Sequence, residues 1–273
     1  MEASKQVQAY NLQTFNRTIT SPATQKYLDE LLHEKKGQFV SNLTALVANK
    51  TELQECEPYT LMFAALKATA LDLPIEPSLG MAHVIPFRNN KKGTVNAQFQ
   101  IGYKGFQQLA LRTGQYKRIN TTEVRAGEIL SRNRLTGEIE WNWIEDEEER
   151  LKKPIIGYVN YFCLLNGFES TLYMSKEEME AHALRYSQTY KSSVGYIKEQ
   201  SKWTTDFDAM ARKTVIKLNL SKNGVLSVEL ADAIQADQSI MREANKYEYD
   251  DNDTQPIIDA QKAQEVSEKF KDF

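Results

Sequence analysis

The residues best placed to do chemistry lie in the run Phe99-Gln100-Ile101-Gly102-Tyr103-Lys104-Gly105-Phe106. Two glycines separated by two residues let a backbone approach a phosphate closely, and the N–H groups at a helix start favour an anion. Lys104 adds a positive charge. Glycines where a strand ends serve equally as packing devices, so the spacing leaves both readings open. Arg112, Lys117, Arg118 and Arg125 follow, interleaved with Tyr103, Phe106 and Tyr116. In a regular strand Lys117 and Arg118 point to opposite faces. A second basic stretch sets Arg185, Tyr186, Tyr190, Lys191, Lys198 and Lys202 among Ser187, Ser192, Ser193 and Gly195, a composition suited to a loop that wraps a backbone. It leads through Trp203 and Phe207 into a helical run containing Arg212. There Phe207, Met210, Ala211, Thr214 and Leu218 predict an inward stripe, and Lys213 and Lys217 a shared outward face. Two ammonium groups on that face would reach phosphates of one strand.

Catalytic arrangements are weaker. Glu145-Asp146-Glu147-Glu148-Glu149 points in several directions and reads as a solvated loop, while Asp206 and Asp208 read as favourable charges at a helix N-terminus. His83 has no acid or nucleophile beside it in sequence, and Cys163 reads as a core residue within a strand. Neither a Gly-x-x-x-x-Gly-Lys-Ser/Thr loop nor a dinucleotide fingerprint occurs. Cys56, Cys163, His33, His83 and His182 lie too far apart in sequence to suggest a metal site. No catalytic residue, metal or cofactor is therefore expected.

Charge separates the functional from the inert parts of the chain. The 34 basic and 37 acidic residues of the 273 give a net charge of -3. Residues 81–125 nevertheless hold eight bases and one acid, Glu123, and residues 181–228 hold eight bases and three acids. The segments 126–180 and 229–273 are acidic, with twelve acids each. Two cationic blocks alternating with acidic ones are an electrostatic footprint that the net charge hides. No run approaches a membrane span, and the N-terminal residues lack the apolar centre of a signal peptide, so a cytoplasmic protein is expected.

The elements that must position these residues are helical at both ends and β-rich between. Residues 1–20 read as a loose arm. Thr20-Ser21-Pro22 opens helices over 21–79, which are the candidate oligomerisation region. Residues 82–87 and 95–101 form a predicted hairpin with a basic tip, and 155–165 and 168–174 flank Asn166-Gly167, a type I′ signal. Ser175-Lys176-Glu177-Glu178 is a capping box. The reading is an α+β protein: a small, mostly antiparallel sheet with hairpins, backed by helices. The α+β core that carries both cationic blocks spans 80–228, and 229–273 is an acidic C-terminal tail.

In their order along the chain, these segments resemble the RecT family. The resemblance rests on Leu71-Asp72-Leu73-Pro74-Ile75-Glu76-Pro77-Ser78-Leu79-Gly80, on Ile85-Pro86-Phe87, on Gln100 to Phe106, on Leu109-Ala110-Leu111-Arg112-Thr113-Gly114, and on Trp203 to Thr214. It covers about residues 20–225 and is similar to prophage members from Gram-positive hosts. It implies an ATP-independent protein that binds and anneals single-stranded DNA, forms rings or filaments, and promotes phage recombination in the bacterial cytoplasm. The implied partners are single-stranded DNA, the annealed duplex intermediate and further copies of the chain. A 5′–3′ exonuclease or single-strand-binding protein is expected at the C-terminal region. The family's basic groove maps onto Lys104, Arg112, Lys117, Arg118, Lys213 and Lys217, with Tyr103, Phe106, Tyr186 and Trp203 as aromatic contacts. A metal-dependent nuclease and a DNA-independent structural phage protein are the alternatives.

Overall fold

The computed structural model describes residues 12–89, 93–187, 189–193, 195–237, 239–243 and 246–248. Residues 12–19 form helix α1, which buries Phe15 and Ile19. The expected loose arm is thus helical from residue 12, because Leu12, Phe15 and Ile19 recur on one helix face. Ser21 caps α2 (Pro22–Leu32) by accepting a bond from the Thr24 N–H at 3.3 Å, with Pro22 in the first turn. Helices α3 (Lys36–Asn49) and α4 (Pro58–Ala70) complete the N-terminal layer. Leu28, Leu43, Leu61, Ala64 and Ala65 are all fully buried within this one chain. These apolar stripes face this chain's own core, while Leu31 and Tyr59 of the same helices are exposed.

The hairpin β1 (Ala82–Asn89) and β2 (Thr94–Ile101) pairs in register from Ala82↔Ile101 to Asn89↔Thr94. The expected basic tip at 90–92 lies outside the described residues. Helix α5 (Tyr103–Arg112) leaves the end of β2, and β3 (Tyr116–Arg125) runs back beneath it. A small ear follows: the ribbon β4 (Ile129–Arg132) and β5 (Ile139–Trp141), then α6 (Glu147–Lys152). Strands β6 (Ile155–Leu164) and β7 (Glu169–Ser175) join β3 in a sheet of order β3-β6-β7. The Asn166-Gly167 turn is not type I′. Only Gly167 has positive φ, +88°, and it closes a three-residue loop in which the Gly167 N–H donates to the Leu164 carbonyl at 3.1 Å.

The capping box at Ser175 and Glu178 starts α7 (Lys176–Tyr186) as expected. Short helices α8 (Gly195–Gln200) and α9 (Lys202–Thr205) lead to α10 (Phe207–Asn223), which packs on α5 and on β6 and β7. Its contact with the sheet is fixed by Asn219, fully buried, whose amide donates to the Asn160 side chain at 2.7 Å and accepts from the Ser170 hydroxyl at 2.8 Å.

The acidic segment from 229 does not begin as an appendage. Helix α11 (Val228–Ala236) buries Leu230, Ala233 and Ala236, and its Asp232 pairs with the buried Lys67 of α4. Strand β8 (Ser239–Glu243) joins β2 at Gln98↔Ile240 and Phe99↔Ser239, and β9 (Lys246–Glu248) completes a sheet of order β1-β2-β8-β9. The apolar face of this stretch outweighs its charge, which the composition alone had emphasised. The remainder of the expected tail lies outside the described residues. Among the described residues no helix is long and apolar enough to cross a membrane.

Candidate nucleic-acid interface

The junction of β2 and α5 is built by close backbone packing. A Cβ on Gly105 would lie 2.2 Å from the Met81 carbonyl oxygen and 2.7 Å from Ile101 Cγ2. One on Gly102 would lie 2.1 Å from the Gly80 carbonyl oxygen and 3.2 Å from His83 Nε2. Both glycines therefore seat the start of α5 against the strand entry, where a side chain would not fit. Phe106, fully buried, anchors the same turn. Lys104 is exposed, and Tyr103 is half-buried beneath the Arg212 guanidinium, 5.5 Å from its ring centre.

His83 sits at the meeting point of several cationic segments. Its pKa is lowered to about 4, chiefly by burial and then by the charges of Lys213, Lys50 and Lys202, with Asp237 opposing them. Lys50 ends α3, Lys202 begins α9, and Lys104 stands beside Gly80 on the neighbouring turn. A second group lies around His182, whose pKa burial, Lys217 and Arg185 depress. There Tyr186 is exposed, its ring tilted against His182 at 4.6 Å between centres and covered by the Arg185 guanidinium at 5.3 Å. Lys198 lies 5.2 Å over the Tyr190 ring, and Lys191 is exposed nearby in sequence. Trp203 is instead a core residue, packed edge-on against Phe207 at 5.4 Å.

Helix α10 departs from the expected pattern. Lys213 is only 5% exposed, and its Nζ donates to Asp237 Oδ1 at 2.8 Å, while Lys217 Nζ donates to Asp237 Oδ2 at 2.8 Å. Asp237 itself is buried, and its Oδ1 also accepts from the Ile101 N–H at 3.0 Å. The two ammonium groups hold its pKa at about 2. Lys213 and Lys217 therefore share a carboxylate instead of an outward face. The expected inward stripe was too narrow: α10 also buries Val215, Ile216, Asn219 and Leu220, because α5 covers it on one side and the β6–β7 sheet on the other.

The remaining cations separate. Arg112 clamps the end of α4, donating to the Leu71 and Asp72 carbonyls at 2.8 Å each. Arg125 donates to the Lys153 carbonyl at 2.7 Å and so fastens the ear. Arg212 pairs with Glu123 at 3.6 Å. Lys117 and Arg118 are both exposed, because a bulge between Tyr116 and Arg118 removes the alternation a regular strand would impose. They lie toward the far end of α5 from Lys104, about 15 Å along a ten-residue helix. The structure thus gathers Lys104 and Lys202 and adds Lys50, which no spacing signal in the sequence marks. It places Arg112, Arg125, Lys213 and Lys217 in internal bonds.

The acids have local tasks. Asp206 caps α10, Asp146 caps α6, and Asp208 accepts from the Tyr158 hydroxyl. Among the described residues no group of three or more His, Cys, Asp or Glu is arranged to hold a metal ion.

Known proteins share this sequence over most of its length. The uncharacterized protein YqaK of Bacillus subtilis is 41% identical over 221 residues, covering 81% of this chain and 71% of the relative. Protein RecT of Escherichia coli is 25% identical over 224 residues, covering 81% of this chain and 78% of the relative. The RecT family model matches residues 37–254, so the chain belongs to the RecT family of single-strand DNA annealing and recombination proteins.

Proposed function

We propose that the chain anneals complementary single strands without ATP, holding the DNA backbone along the cationic band formed by Lys50, Lys104 and Lys202 and continued by Arg185, Lys191 and Lys198. The observation that supports this reading is that Lys50, at the end of α3, and Lys202, at the start of α9, both lie within electrostatic reach of His83, beside the turn that bears the exposed Lys104. Strand pairing runs downhill, stacking contributing roughly 1.4 kcal/mol per step, so no fuel is needed. What slows pairing is phosphate repulsion and folded-back strands. Lysines that replace condensed counterions relieve the first, and an extended backbone removes the second. Contacts to phosphates leave base edges free for the second strand and carry little sequence information. Tyr186, exposed beside the band, supplies a face on which a base can stack. Lys117 and Arg118 extend the positive surface along β3. The protein works as an oligomer in phage recombination, with the C-terminal region as the contact for a 5′–3′ exonuclease or single-strand-binding protein.

The test adds two complementary oligonucleotides in sequence, without nucleotide. Duplex should form faster than in protein-free controls, and equal rates would reject the reading. Within that assay, Lys104→Ala and Lys202→Ala should each flatten the salt dependence of binding by about one unit across unrelated sequences.

A further inference from the structure

Arg212 stands in the second turn of α10 with 30% of its side chain exposed. Its Nε donates to the Asp208 carbonyl one turn back at 3.3 Å, which fixes the stem, and its Nη1 lies 3.6 Å from Glu123 Oε2 on β3. The guanidinium carbon then lies 5.5 Å from the centre of the Tyr103 ring, at the first position of α5. At that distance a guanidinium is attracted to the electron-rich face of an aromatic ring. Strand β3 and helices α5 and α10, remote in sequence, therefore meet on one side chain.

Glu123 is itself held from the ear. Arg150 of α6 reaches its carboxylate at 3.4 Å and its backbone carbonyl at 3.0 Å. The same arginine donates through Nε to Glu128 at 2.6 Å, and Glu128 is fully buried. Charge thus alternates along Arg212, Glu123, Arg150 and Glu128, and the chain ends on an internal carboxylate that also accepts from the Arg125 N–H at 2.6 Å. Paired with Glu123 and bound to a carbonyl, Arg212 has little charge left for a phosphate. Tyr103 is the outer end of this chain. It packs against the main hydrophobic core, remains half-buried, and precedes the exposed Lys104.

We propose that Arg212 is a positioning residue for strand binding: it backs the Tyr103 ring, so that the open part of the ring stacks on a DNA base while Lys104 meets the neighbouring phosphate. The buttress is the ear, acting through Arg150 and Glu123. A ring fixed before the base arrives lowers the ordering cost of binding. Stacking on a ring is tolerant of base identity, as annealing of unrelated sequences requires. This rests on the annealing reading and deepens it. It adds a second stacking face to Tyr186 and gives the ear a part in gripping DNA, although its segment is acidic.

The test compares binding of the full chain to a single-stranded oligonucleotide and to one of equal length in which abasic sites replace the bases, across a salt series. The parent should prefer the intact strand. Tyr103→Leu should cut that preference about tenfold, within the range for one stacked base, and Arg212→Met about fivefold. The double variant should lose no more than Tyr103→Leu alone, since both act on one stack. The salt slope of Arg212→Met should match the parent's, because no phosphate contact is given up. A slope flattened by about one unit would make Arg212 a phosphate ligand. Equal weakening on both oligonucleotides would make it merely structural, and additive losses would separate it from Tyr103. Each of these results overturns the proposal. Arg212→Gln takes the place of Arg212→Met if thermal melting shows the latter unfolded. Annealing by a parent that binds both oligonucleotides equally would remove the stacking face and keep the function. A parent that binds neither would overturn the annealing reading itself.

Discussion

Replacing Asp237 by asparagine isolates the ion cluster behind the candidate interface. The carboxylate holds Lys213, Lys217 and the Ile101 N–H together, and all three contacts are 3.0 Å or shorter. Its folded pKa of about 2, against an ordinary 3.8, corresponds to about 2 kcal/mol of stability at neutral pH. The sign follows from the direction of the shift. A depressed carboxyl contributes fully above the ordinary carboxylate range, and that contribution disappears as pH falls from about 4 through about 2. Asparagine keeps an acceptor for Ile101 but leaves two ammonium groups facing each other, one of them buried. Breaking a buried pair from one side costs about 3–5 kcal/mol. Burial already draws the Lys213 pKa below the ordinary lysine value, so part of the pair's attraction only offsets that desolvation. Asp237→Asn should therefore lose about 3 kcal/mol in urea unfolding at pH 7, and adding Lys213→Met should restore more than half, since an apolar replacement removes the stranded charge. Fluorescence of the buried Trp203 reports the transition. The reasoning fails if the single change costs under about 0.5 kcal/mol, if Lys213→Met restores nothing, or if the variant keeps the parent's loss of stability between pH 4 and 2.

Other substitutions probe the remaining supports. Gly105→Val should destabilise the fold by more than about 2 kcal/mol and reduce annealing with it, because its branched carbon would displace the Met81 carbonyl; a thermal melt matching the parent would contradict this. Phe15→Ala should cost about 3–4 kcal/mol in the same unfolding assay, whereas a true arm would tolerate it without change. Truncation after residue 248 should leave circular dichroism and melting intact, while truncation after 228 should abolish cooperative unfolding by removing Leu230, Ala233 and Asp237. Equal melting of the two truncated chains would return 229–248 to the status of an appendage.

Much of the fold is legible in the residues because its signals are local. The Ser21-Pro22 start, the Ser175–Glu178 box and the hairpin registers need only short-range chemistry. The misjudged parts all depend on partners distant in sequence. Lys213 looks outward on a helix considered alone, and it becomes interior only because Asp237, 24 residues on, caps α11 at the same spot. Arg112 resembles a phosphate ligand until α4, 40 residues earlier, presents its last carbonyls. Lys50 lies outside both cationic blocks, and it approaches the candidate site only through the packing of the turn at 51–55 against β1. Charge segregation marked the cationic regions of chain, but it could not separate cations that face solvent from those that fasten the interior.

The pairing of β8 with β2 joins strands about 140 residues apart, and Asp237 reaches back to Ile101 across a similar span. During synthesis the ribosome therefore releases the α5 turn long before its sheet can close. A nascent chain stopped short of residue 237 carries Lys213 and Lys217 without their counter-charge, alongside an uncovered strand edge. Products terminated before this point should be cleared by proteases instead of competing for DNA.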